Sequence, residues 1–183
     1  MAQFEAYHGT SNDAAISIRE EGFLMSKSEG EWLGDGVYFF LGGISDPKED
    51  AEGWAICNSW DNKTKKNKYE IFAVIESILR VEDDNLIDLD NVDDLCFFNE
   101  FRESFNEKIR RAGKNYGKYA DGYVLNEMSN VDVKVVKARK YVKLKPDDRI
   151  LDIRGSAPNC TICSVRDSNC ITNTRIVKTG RVV

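Results

Sequence analysis

The sequence predicts an α+β fold in which helices flank a mixed or antiparallel sheet. Three observations predict it. In the first 56 residues, short apolar runs alternate with two stretches that carry apolar residues at helical spacing. A third such stretch, residues 93–112, separates this part from the rest. After Tyr119 the apolar runs are short and joined by polar turns, so strand-to-strand links dominate and the strands need not run parallel.

Phe4 to His8 reads as a short buried strand. Ser11 or Asn12 caps a helix whose apolar positions Ala14, Ala15, Ile18 and Phe23 share one face, and Gly22 ends it. A polar loop, Ser26 to Gly30, leads to Trp32-Leu33-Gly34-Asp35-Gly36. Val37-Tyr38-Phe39-Phe40 then has the aromatic and β-branched content of a strand. Asp46-Pro47 starts a second helix through Ala51, Trp54, Ala55 and Ile56. It stops at the polar run Asn58 to Lys68, which reads as an exposed loop. Tyr69 to Val81 is a buried strand or two, and Asn85 to Leu89 a further short one. Asp93 to Ala112 is helical, with Leu95, Phe98, Phe101, Phe105 and Ile109 three or four apart, and Gly113 closes it. Tyr123 to Leu125, Val133 to Val136, Tyr141 to Leu144 and Ile150 to Ile153 are strand candidates. Ile162, Val165, Ile171 and Ile176 belong to further short strands.

A length of 183 residues suits one domain with a real core. The composition, 42% hydrophobic and 31% charged, is that of a soluble globular protein. No apolar run approaches the roughly 18 residues of a membrane-spanning helix. The stretch Met1 to Glu5 lacks the basic and apolar regions of a signal peptide, so a cytoplasmic location is expected. Five cysteines, an odd number, fit reduced thiols better than a disulfide framework. The net charge of −5 hides an asymmetry: residues 1–133 carry 14 Lys/Arg against 27 Asp/Glu, and residues 134–183 carry 12 against 4. A basic carboxy-terminal quarter either contacts an anion such as nucleic acid or complements the acidic body.

Histidine occurs once, at His8, which excludes a multi-histidine metal site and leaves one imidazole for any catalytic triad. Tyr7-His8-Gly9-Thr10-Ser11 places that imidazole, a bare backbone and two hydroxyls between a strand and a helix, where ligands are often gripped. A core-packing histidine is the alternative. In the strand Val37 to Phe40, Tyr38 and Phe40 share one side if Phe39 faces the core, so Tyr38 either lines a cleft and stacks on a flat heterocycle or packs as plain core. Neither a triphosphate-binding glycine loop nor a Gly-x-Gly-x-x-Gly fingerprint is present.

Taken together, Tyr7-His8-Gly9-Thr10, a helix ending in Gly22-Phe23, Ser26, and Gly34-Asp35-Gly36-Val37-Tyr38-Phe39 resemble the first two signature segments of the poly(ADP-ribose)-polymerase-like ADP-ribosyltransferases. The resemblance covers residues 4–40 in order and spacing. It implies a split mixed or antiparallel sheet of the ADP-ribosyltransferase type with flanking helices, as a single domain over 1–183 whose basic, β-rich extension spans about 145–183. It also implies NAD⁺ as a consumed co-substrate without a metal. His8 would hydrogen-bond the adenine-side ribose, Gly9 the nicotinamide amide, and Tyr38 would stack on the nicotinamide ring. Thr10 or Ser11 would help hold the ribose, and Gly36 opens the pocket strand.

Expelling neutral nicotinamide leaves positive charge on the ribose, so a carboxylate is the expected third residue. The family's glutamate opens a late strand, and the gap-free match, Asp132-Val133-Lys134-Val135-Val136, puts Asp132 there. Glu127 is the rival. Aspartate in place of glutamate favours a single transfer over chain extension. The expected function is thus mono-ADP-ribosyl transfer from NAD⁺ to a macromolecule, RNA, DNA or protein. Small stand-alone proteins that resemble this family are often toxins or conflict effectors, so the resemblance makes a toxin role and a neutralising antitoxin protein as partner the expectation. The alternative is an inactive NAD⁺- or ADP-ribose-binding module of the same fold. An RNA 2′-phosphotransferase ranks behind both, because no basic cluster adjoins His8 or Tyr38. Cys160, Cys163 and Cys170 lack a nearby fourth zinc ligand and read as thiols packed among strands.

Overall fold

A computed structural model of the chain describes residues 1–27, 31–112, 120–128 and 132–182. The first strand, β1 (Ala2–Ser11), runs directly into helix α1 (Asn12–Glu21). Ser11 makes the junction: its side chain accepts a hydrogen bond from the Ala14 N–H at 3.2 Å. Gly22, at φ 87°, closes the helix in a conformation that L side chains rarely adopt. Strand β2 (Val37–Leu41) follows, and then α2 (Pro47–Ser59), capped by Asp46 with Pro47 in its first turn. Within the polar run expected as a plain loop, β3 (Trp60–Asp61) and β4 (Lys66–Asn67) form a small ribbon.

The remaining elements are β5 (Ile71–Val81), β6 (Leu86–Asp88), α3 (Val92–Ala112), α4 (Ala120–Glu127), β7 (Val135–Lys140), α5 (Pro146–Ile150), β8 (Cys160–Val165) and β9 (Ile171–Arg181). Seven strands form one sheet in the order β6-β7-β8-β2-β1-β5-β9, with β6–β7 the parallel pair. This is an α+β architecture with a mixed, mostly antiparallel sheet. Its spine is the β1–β5 ladder, which runs from Ala2↔Val81 to Ser11↔Phe72.

Alternation along the strands sends side chains to two cores. On one face, Phe40, Val74, Val136 and Ile162 pack with Ala51 and Ala55 of α2, Phe98 and Phe105 of α3, and Leu125 of α4. On the other, Ala6, Val37, Phe39 and Leu41 pack with Val135 and Cys163. There α1 lays Ala15 against Ala73 and Ile75.

Several sequence expectations change. Tyr123 to Leu125 lies in helix α4, where Val124, Leu125 and Met128 are fully buried at helical spacing, and Gly122 lets α4 rest on the Glu31 carbonyl. Tyr141 to Leu144 is irregular: Val142 N–H donates to Asn159 Oδ1 at 2.8 Å, and Asn159 Nδ2 donates to Val142 O at 2.9 Å. The Asn159 amide thus takes both bonds a strand partner would use. Ile150 to Ile153 is the end of α5 and a turn, started by Pro146, and Ile150 and Leu151 stay about 70% exposed. Gly113 lies outside the described residues.

The carboxy-terminal quarter is also no appendage. β8 sits between β7 and β2, and β9 pairs along β5. Its positive charge answers the acidic body: Arg175 bonds Glu76 at 2.6 Å, Lys178 bonds Glu52 at 2.5 Å and Lys137 bonds Asp88 at 2.5 Å.

Candidate functional site

The ladder between β1 and β2 covers only Ala6↔Leu41 and Tyr7↔Phe40. Beyond it β1 stays with β5 through Ser11, while β2 stays with β8 through Val37↔Val165. The sheet is split there, and the His8 imidazole stands at the split. Its Nδ1 lies 2.8 Å from the Tyr38 carbonyl oxygen. A carbonyl only accepts, so Nδ1 carries the proton. Burial lowers the His8 pKa below 6.5, which keeps the ring neutral at pH 7 and leaves Nε2 an acceptor. Phe23 and Phe39 meet the ring edge-on at 5.4 and 5.8 Å and fix its plane.

A cavity of about 520 Å³ opens at this split. It draws its walls from both faces of the sheet: His8, Phe23 and Phe39 from one, Tyr38, Phe40 and Ile162 from the other. Gly9 and Gly36 line it as well, and Trp32 and Trp54, edge to face at 6.2 Å, add aromatic wall. Flat apolar walls with a few polar groups suit a ligand built on heteroaromatic rings.

One wall is the turn before β2, held from three sides. The Tyr38 hydroxyl donates to Gly34 O and accepts from Leu33 N–H, both at 2.8 Å. Asp35 N–H donates to Asn126 Oδ1 at 2.8 Å, and Asn126 Nδ2 donates back to Asp35 Oδ1 at 3.2 Å. Arg166 donates to Leu33 O at 3.1 Å and to Leu125 O at 2.7 Å, joining the turn to α4. Burial pushes the Tyr38 pKa far above its usual 10, so the residue offers a ring and a tether, not a proton.

The glycines of both motifs have packing reasons. A Cβ on Gly9 would lie 1.7 Å from the Ala51 carbonyl oxygen of α2, and one on Gly34, at φ 76°, would lie 2.3 Å from Asn126 Oδ1. Gly9 therefore brings β1 against α2 while its backbone borders the cavity.

Of the residues singled out by sequence, His8, Gly9, Gly36 and Tyr38 meet at the cavity. Ser11 is engaged as the α1 cap and Thr10 sits in the ladder opposite Ala73; neither is among its lining residues. Asp132 and Glu127 are also elsewhere. Asp132 is exposed ahead of β7, accepting from Asn85 Nδ2 at 3.2 Å and facing Lys134 at 3.8 Å. β2 is flanked by β8 and β1, and β8 separates it from β7, so β7 cannot bring Asp132 to Tyr38. Glu127 is exposed at the last residue of α4. Among the described residues, the carboxylates that line the cavity are Glu21 and Glu31, and sequence reasoning passed over both. The available signal was Glu31's place directly before Trp32 of the aromatic motif.

Cys160 and Cys163, three apart on β8, belong to the cores on opposite faces, and burial lifts each thiol to about 12. Among the described residues, no group of three or more His, Cys, Asp or Glu side chains is placed to hold a metal ion. No helix among them is long and apolar enough to cross a membrane.

No protein-family model matches this chain. It is similar to an uncharacterised protein of Methanocaldococcus jannaschii, with 29% identity over 125 residues. That match covers 67% of this chain and 54% of the archaeal protein, so the chain spans about half the length of its relative.

Proposed function

We propose that this chain is a cytoplasmic mono-ADP-ribosyltransferase that takes ADP-ribose from NAD⁺ and places it on a macromolecule. One observation carries the reading: the split between β1 and β2 opens into a cavity where His8, Gly9, Gly36 and Tyr38, from two motifs about 30 residues apart in sequence, come together. In this reading the nicotinamide ring lies against Tyr38 with the tryptophans beside it, and the Gly9 backbone meets the carboxamide. Nε2 of neutral His8 accepts a ribose hydroxyl. The C1′–N bond breaks with its electron pair passing to the nicotinamide nitrogen, which neutralises the ring. The acceptor's oxygen or nitrogen bonds to C1′ and gives up its proton. The residues act chiefly by positioning.

The ion pairs of Arg175, Lys178 and Lys137 with the acidic body remove much of the charge argument for nucleic acid, so the acceptor is left as nucleic acid or protein. The test is incubation with NAD⁺ labelled in the ADP-ribose moiety and a cell lysate, followed by protease or nuclease. The reading predicts free nicotinamide and a macromolecular label that one of the two treatments removes. Binding of NAD⁺ with neither product would identify a binding module instead.

A further inference from the structure

The proposed chemistry needs negative charge beside the ribose, and the structure keeps Asp132 and Glu127 away from the cavity. Among the described residues, two carboxylates remain in its lining. Glu21 is exposed in the last turn of α1 and makes no hydrogen bond through its side chain among the described residues. Glu31 is half-buried and held from several directions. Ser26 Oγ donates to its Oε1 at 3.2 Å, and Ser26 is itself fixed to the start of β2, its carbonyl accepting from Gly36 N–H at 3.0 Å. The Glu31 carbonyl lies under α4, where a Cβ on Gly122 would come within 2.0 Å of it. Glu31 is also close enough to Tyr38 for its charge to add to the rise in the phenol's pKa. Its Oε2 carries no hydrogen bond among the described residues.

We infer that Glu31 is the cavity's catalytic carboxylate, accepting a hydroxyl of the nicotinamide-side ribose through Oε2 and stabilising positive charge at C1′. This rests on the proposed ADP-ribosyl transfer. As the C1′–N bond breaks and its electron pair leaves on nicotinamide, the sugar becomes oxocarbenium-like, and a fixed carboxylate on the Tyr38 side meets that charge without reorganising. The acceptor then bonds to C1′ and releases a proton to solvent, so Glu31 ends the cycle ionised. Anchoring one oxygen through Ser26, with no hydrogen bond to the other among the described residues, matches that task, whereas Glu21 has no such anchor among them.

The test compares the wild-type chain with Glu31→Gln and Glu31→Asp, reading nicotinamide release, label transfer, NAD⁺ binding and the melting curve. Glu31→Gln keeps shape and loses charge. It is expected to lower turnover about 100-fold or more with binding and melting little changed. Glu31→Asp is expected to recover part of the rate. Wild-type turnover in Glu31→Gln, or a dead Asp132→Asn beside an active Glu31→Gln, overturns the assignment while leaving the proposed function standing. A wild-type chain that neither releases nicotinamide nor transfers label overturns both. If Glu31→Gln melts early, Ser26→Ala separates the causes: losing one anchor is expected to lower kcat with KM for NAD⁺ unchanged, and an unaltered kcat in that variant counts against the role.

Discussion

Removing one oxygen atom, in Tyr38→Phe, separates the two jobs assigned to this side chain. The ring stays, so simple stacking predicts a nearly silent change. The structure predicts otherwise, because the hydroxyl both donates to Gly34 O and accepts from Leu33 N–H, and Leu33 is fully buried. Without it two main-chain groups lose their partner in a site that a benzene edge cannot serve. Each stranded buried group costs about 1–3 kcal/mol, and partial rescue by water brings the pair to roughly 2–4 kcal/mol. In a chain of this size each kcal/mol lowers the melting temperature by about 2–4 °C, so a fall of roughly 5–15 °C is expected. Thermal denaturation followed by circular dichroism measures it. KM for NAD⁺ should rise in the same variant, since the turn carries Glu31 and Trp32 into the cavity wall. Melting within about 1 °C of wild type would refute the tether.

Other changes test the frame around the site. Gly9→Ala places a methyl 1.7 Å from the Ala51 carbonyl oxygen, which forces β1 from α2 and should cost at least the roughly 1–3 kcal/mol of an overpacked core, read as a lower urea midpoint. His8 is the single histidine, and burial lowers its pKa below 6.5. As pH falls below about 6.5 the unfolded chain takes up a proton that the folded chain refuses, so wild-type stability declines, while above that pH the residue contributes no slope. The stability difference between wild type and His8→Gln, from urea titrations at several pH values, should therefore shrink on acidification. A difference that grows would mean that the folded protein prefers the charged ring.

Local signals made the first sixty residues legible. Ser11, Gly22 and the Asp46-Pro47 pair mark helix ends through their own side chains, and the apolar spacing of Ala14, Ala15 and Ile18 sets the buried face. His8 and Tyr38, which both line the cavity, were equally legible as candidates because both stand in short motifs. Long-range order was less visible. Tyr123-Val124-Leu125 has the composition of a strand, and it is helical because Gly122 docks under Glu31, more than ninety residues away in sequence. Asp132 aligned without a gap with the family's glutamate, yet a linear alignment carries no information on which strands flank β2, and those are β8 and β1. Glu31 was masked by its setting, since a glutamate after Ser26 to Gly30 reads as part of a polar linker until the cavity shows what it faces.

NAD⁺ is proposed to occupy the split beside His8 and to be cleaved there. Because the chain has one histidine, proton magnetic resonance of the imidazole gives an unambiguous reporter inside the cavity, and the same spectra resolve free nicotinamide from NAD⁺. Titrating NAD⁺ into the protein and then adding lysate as a source of acceptor should first move the His8 signals saturably. Free nicotinamide should then accumulate at a rate that Tyr38→Ala lowers at least tenfold. His8 signals that stay in place at millimolar NAD⁺, with no nicotinamide formed, would contradict the claim.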